Sequence, residues 1–404
     1  MGKSRVPDPP NFQKYGVPFY SAAWVPYKNI TLEHEPQGQE KDSNQSSDEI
    51  SVGDGSSAAP PESSAAPNYF VFAGGGGEGR SGIPNAVVLA RFDSTSNALS
   101  DQPVAKLGTG SDLPYRMAVH PGGDGLVCSL PKSCRWFEWD VEKSAEVHTL
   151  CPKLSDKVLT QLEDVGQQLA LAFNNEGSAL AAGGEDGNLR VFKWPSMEIV
   201  LHEAGAHTTL KDLDFSSDGK YLVSLGNSGP ARVWDVTSST VIASLPKEND
   251  EVFSSCRFAE SNDKNQVLYI AAVTGKGGSI VTWNTSTWKR MGSKPVARDT
   301  ISAFNVSPDG KLLACGTTQG DILILNSTGL RVQTMVRKAH LGFVTALAFS
   351  QDSRTLASVS LDSSARVTII DDKKKTGRLS LWVIVLIILV AVAVYFAKNE
   401  GILG

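Results

Sequence analysis

Apolar positions through the body of the chain fall in short alternating runs separated by polar turns. LAFNNEGSALAAGGEDGNLRVFKW starts at Leu171, and LDFSSDGKYLVSLGNSGPARVWDV starts at Leu213. FNVSPDGKLLACGTTQGDILILNS starts at Phe304, and LAFSQDSRTLASVSLDSSARVTII starts at Leu347. The steps from 171 to 213 and from 304 to 347 are 42 and 43 residues. Each unit has one grammar. A strand ends in a Ser/Asn/Asp/Gly turn, an alternating apolar strand follows, and a second polar turn leads to a third strand that often ends in Trp. Alternation with period two predicts strands with one face buried. Looser copies start at Met117 and Cys256, and NYFVFAGGGG…NAVVLARFD, from Asn68, makes a seventh.

Units of about 40–45 residues with four strands each predict a β-propeller. Seven units over 68–371 predict an all-β fold, a seven-bladed β-propeller. An open ring would leave a bare strand edge, so the ring must close. Val17 to Val25 alternates well enough to be the closing strand, and is expected to join the last blade from within an N-terminal segment, 1–31. Residues 32–67 are low in hydrophobicity and rich in Glu, Ser, Gln and Pro, the composition of a disordered insertion.

The pattern changes at the C-terminus. LSLWVIVLIILVAVAVYFA, residues 379–397, holds 19 residues without a charge. As a helix it would be roughly 28 Å long, enough to cross the hydrocarbon core. A single C-terminal transmembrane helix is therefore expected, the alternative being a buried core helix. Lys373, Lys374, Lys375 and Arg378 precede it, in the segment 372–378, and Lys398 alone follows. The positive-inside rule places the propeller in the cytosol and residues 398–404 on the far side. No signal-peptide pattern opens the sequence, so insertion is expected late.

Composition narrows the chemistry. A formal net charge of −5 argues against a nucleic-acid binder. Five cysteines, without metal-type spacing, suit a reducing compartment. There is no G-x-S-x-G elbow, no H-E-x-x-H and no His/Cys set at metal spacing, so covalent catalysis has no visible home and the chain is not expected to be an enzyme. The recurring Asp-Gly and Asn-Glu-Gly pairs read as turn chemistry. His120, His207 and His340 read as turn-orienting residues.

One stretch does not fit the repeat. Residues 73–87, AGGGGEGRSGIPNAV, place six glycines where a hairpin needs two to five residues in all. No G-K-[S/T] ends it and no helical pattern follows, so it is no phosphate-binding loop. Glycine lets backbone carbonyls turn to one side, and converging carbonyls suit a group I or II cation. Asn85 would add an amide oxygen, and Ile83 would present an apolar knob. A floppy insertion is the alternative on composition alone.

Trp139-Asp140 and Trp234-Asp235 carry the dipeptide of the WD-repeat family. GGGGEG-x-x-GIPN in blade one, with a C-terminal anchor, resembles the WD-repeat exchange factors that start COPII coat assembly at the endoplasmic reticulum (ER), the family of the animal prolactin regulatory element-binding protein. The similarity runs from about residue 15 onward, and the blade style resembles the plant branch. The resemblance implies a guanine-nucleotide exchange factor for a Sar-type small GTPase. It implies a structural K⁺ held by Gly74, Gly75, Gly76, Gly77, Glu78, Gly79, Gly82 and Asn85, where a lone carboxylate would make a weak Ca²⁺ site. It assigns GTPase binding and exchange to Ile83, Pro84 and Asn85, and more weakly, through a short match, to Asp112 and Pro114. It implies an ER-membrane protein with its propeller in the cytosol, with cargo or coat contacts open. Two alternatives stand beside it. One is the non-catalytic phosphate transporter traffic facilitator of plants, which lacks the glycine loop. The other is a tethered propeller scaffold.

Overall fold

The computed structural model describes residues 8–27, 30, 68–79, 81–143, 148–248, 250–260, 266–370 and 389. Among these residues lie seven antiparallel sheets, six of four strands and one of five. They are the blades of a seven-bladed, all-β propeller. Innermost strands of successive blades touch all the way round, and the first meets the last, so the ring is closed.

The strand pattern follows from position in the blade. Middle strands are covered on both faces by neighbouring blades and are buried throughout, as in Gly125–Ser129. Outermost strands are mostly exposed, as in Glu198–Glu203. Side chains staple the inner strands together. Thr345 Oγ1 donates to the Phe19 carbonyl at 2.7 Å, Asn305 Nδ2 to Leu347 O at 2.8 Å, and Trp24 Nε1 to Ala348 O at 3.0 Å. The polar turns repeat one device. Ser216, Ser307 and Ser350 each donate to the aspartate two residues on, at 2.6 Å. Gly219 and Gly310 then supply the positive φ that closes the first two of these turns.

Closure differs from the expectation. The strand β1 (Phe12–Lys14) completes the last blade, pairing Phe12 with Arg366. The alternating stretch forms β2 (Phe19–Trp24) and is the innermost strand of blade one. The physical reason is a strand count. The repeat at Asn68 supplies no inner strand of its own, whereas the last repeat already has one in Val344–Phe349 and needs an outer strand. Blade one continues with β3 (Asn68–Gly74), β4 (Asn85–Asp93), β5 (Ala98–Leu99) and β6 (Ala105–Gly110), both of the last two pairing β4. Its core packs Phe19, Phe70, Phe72, Val88 and Phe92 against Val359 and Val367 of the last blade. Each such side chain contributes about 1.5–3 kcal/mol on burial.

Residues 32–67, 371–388 and 390–404 lie outside the described set, and with them nearly all of the 379–397 segment. Among the described residues no helix is long and apolar enough to cross a membrane.

Candidate functional site

The loop 75–84 joins β3 to β4. Gly74 itself belongs to β3, paired with both Ala86 and Phe19, so the curl begins at Gly75. The Gly75 N–H donates to the Pro18 carbonyl at 2.9 Å, which ties the loop base to the entry of β2.

Asn85 organises the curl. It opens β4 opposite Gly110 of β6 and is 3% exposed. Its Oδ1 accepts the Gly77 N–H at 2.9 Å. Its Nδ2 donates to Gly77 O at 3.2 Å and to Gly110 O at 3.0 Å. One buried amide therefore clamps the loop to its own strand and to the next turn. Gly75 is required by contact as well as by conformation. A Cβ there would lie 2.2 Å from Asn85 Oδ1, and its φ is +152°. Gly76 lies against Ser81 and Ile83, where a Cβ would stand 2.2 Å from Ser81 Oγ. The result exposes Glu78, Gly79, Gly82, Ile83 and Pro84 on a backbone fixed from below. Ile83 is 38% exposed, an apolar side chain on a loop tip.

The structure brings the Asp112 segment to the same place. Gly110, the second acceptor of the Asn85 amide, lies two residues before Asp112. Thr109 Oγ1 donates to Asp112 O at 2.6 Å and shapes that turn, with Asp112 exposed and Pro114 buried. Pro18 and Gly110 were missed in sequence. Each acts through a backbone carbonyl, for which residue type carries no signal.

The donors decide whether a cation suits the loop. Gly77 O and Gly110 O accept from Asn85 Nδ2, and Asn85 Oδ1 accepts the Gly77 N–H. All are neutral oxygens. Among the described residues no group of three or more His, Cys, Asp or Glu could hold a metal. Neutral oxygens in general suit a large monovalent ion such as K⁺ better than Mg²⁺, which demands a small octahedral shell.

His120, His207 and His340 hold hydrogen bonds inside the blades. His340 meets Ser364 Oγ at 2.6 Å and Ser358 Oγ at 2.8 Å. His207 meets Ser224 Oγ at 2.8 Å, and Trp234 Nε1 donates to that same oxygen at 2.9 Å. His120 Nε2 meets Gly177 O at 3.1 Å. Burial pushes His207 and His340 down to about 4, so both are neutral pins at neutral pH.

Fold and repeats define a WD-repeat β-propeller with a built glycine loop on blade one. A family model for the WD domain, G-beta repeat, matches residues 163–193 and 331–368. The chain is 52% identical over 377 residues to SEC12-like protein 2 of Arabidopsis thaliana, covering 93% of this chain and 91% of that one. It is 33% identical to SEC12-like protein 1 of the same plant, over 70% of this chain and 71% of that one. The chain belongs to the SEC12-like family. Guanine nucleotide-exchange factor SEC12 of Rattus norvegicus is 25% identical over 79% of this chain and 89% of its own length.

Proposed function

We propose that the chain is a guanine-nucleotide exchange factor that activates a Sar-type small GTPase at the ER membrane and so starts COPII vesicle formation. The observation that carries this reading is the exposed Ile83–Pro84 tip held by the buried amide of Asn85. Relatives named as SEC12 exchange factors, matched over most of their length, support it.

The mechanism is a coupling of two binding equilibria. A factor that binds the nucleotide-free GTPase more tightly than the GDP form lowers GDP affinity by the same ratio. No bond is made or broken by this chain. Ile83 and Pro84 press on the GTPase near its switch region, and the exposed Asp112 turn contacts it alongside. Asn85 is a positioning residue. Ordering a free loop costs about 1–2 kcal/mol per residue, and more at glycine. A loop already clamped to Gly77, Gly110 and Pro18 avoids most of that cost at encounter. K⁺, when bound by loop carbonyls and Asn85 Oδ1, would add electrostatic attraction that holds the same pose. The 379–397 segment is the proposed anchor, with the propeller in the cytosol.

The test is release of fluorescent GDP from a Sar-type GTPase, with and without the full chain in detergent, in K⁺ and in Li⁺ at equal ionic strength and fixed Mg²⁺. Release should speed up with the chain and slow again in Li⁺. No acceleration in any salt would refute the function, and equal acceleration in both would refute the ion.

A further inference from the structure

A second apolar feature stands on the same face as the glycine loop. In blade seven the second strand, Thr355–Ser360, runs into the turn 361–363, as β3 runs into the loop 75–84. The first strands of blades seven and one run side by side in one direction, with Thr345 bonded to Phe19 and Trp24 to Ala348. The connection 337–343 into blade seven therefore opens at this same end. Between the two features the face is continuous. The Tyr15 N–H donates to Ser363 O at 3.1 Å, and three residues on, Pro18 O accepts from Gly75.

Three large apolar side chains are set out here. Leu341 is 74% exposed, Phe343 50% and Leu361 38%. Their backbone is fixed. The Leu361 N–H donates to Phe343 O, and the Leu341 N–H donates to Asp362 Oδ2 at 2.7 Å. His340, pinned by Ser358 and Ser364, anchors the connection from inside. Single exposed apolar residues need no explanation, but a rigid cluster of three marks an interaction site.

We propose that Leu341, Phe343 and Leu361 form a second docking patch for the same small GTPase that meets the glycine loop. This rests on the exchange reading given above. The patch holds the GTPase, and the loop acts on its nucleotide. The two roles separate in kinetics. Substitutions in the patch weaken capture and raise the GTPase concentration giving half-maximal exchange. They leave the maximal rate in place, since Asn85 and Ile83 are untouched.

The experiment measures exchange against GTPase concentration for the full chain in detergent, as wild type, Phe343→Asp and Leu341→Asp. Thermal unfolding of each variant checks the fold, which these exposed positions should leave unchanged. The expected result is a rise of about tenfold in the half-saturating concentration for Phe343→Asp, in keeping with an interfacial aromatic anchor, at an unchanged maximum. An unchanged half-saturating concentration would overturn the proposal, as would a fall in the maximum alone. Loss of liposome binding with normal GTPase capture would assign the patch to lipid and overturn it too. Failure of the wild type itself to exchange would instead sink the functional reading.

Discussion

Replacing Asn85 by Ala removes the three hydrogen bonds that clamp the glycine loop, to Gly77 N–H, Gly77 O and Gly110 O. At about 1 kcal/mol each they amount to about 3 kcal/mol. Gly77 is half-buried, so water recovers part of this on opening, leaving about 2 kcal/mol. That corresponds to roughly a thirtyfold rise in the open population of the loop. β4 itself should persist, because Ala86 to Leu89 remain paired on both sides, to β3 and to β6. Amide hydrogen exchange resolved to peptides is the assay. Residues 75–84 should exchange roughly thirtyfold faster in Asn85→Ala, while Ala86 to Phe92 change little. Equal exchange of the loop in both proteins would refute the clamp. Asn85→Asp should be worse than Ala, since a carboxylate would face two carbonyls that now accept from the amide.

Gly75→Val should free the loop as Asn85→Ala does, because its Cβ would collide with Asn85 Oδ1 at 2.2 Å; protection of residues 75–84 equal to wild type would contradict this. Phe12→Ala should cost about 3 kcal/mol in urea unfolding, since Phe12 is buried on the strand that closes the ring. His340 has its folded pKa pushed down to about 4 by burial, so the neutral form is favoured and the stability it contributes is present above about 6.5 and lost as pH falls toward 4. Between pH 7 and pH 4.5 the wild type should therefore lose more unfolding free energy than His340→Gln, and equal losses would deny the neutral pin.

Much of the fold was legible because a blade is a local object. Alternation and turn chemistry lie within some forty residues, and Ser216–Asp218 and Ser307–Asp309 realise the turns as the sequence implies. Closure was harder. Phe12–Lys14 is too short to show a period, while β2 alternates clearly whichever blade it joins. Counting inner strands would have resolved it, since the Asn68 repeat lacks one. At the site, composition left a built loop and a floppy insertion both open; only the family resemblance favoured the built loop, and it did not show what holds it. The amide of Asn85 grips Gly77 and Gly110, and the second lies 25 residues on in another strand. Such a contact appears only once register is fixed. Asp112 was reached through family resemblance, and its proximity to the loop through Gly110 is a fact of the sheet.

The most direct test of the account is GDP release from a Sar-type GTPase by the full chain, as wild type and as Ile83→Asp, in K⁺. Ile83 is exposed at the loop tip, and thermal unfolding of the variant checks that the substitution leaves the fold in place. The account predicts that the wild type speeds release by at least about tenfold, equivalent to 1.36 kcal/mol off the barrier, and that Ile83→Asp loses most of that gain. Release at the intrinsic rate with the wild type, or equal acceleration by both proteins, would contradict it.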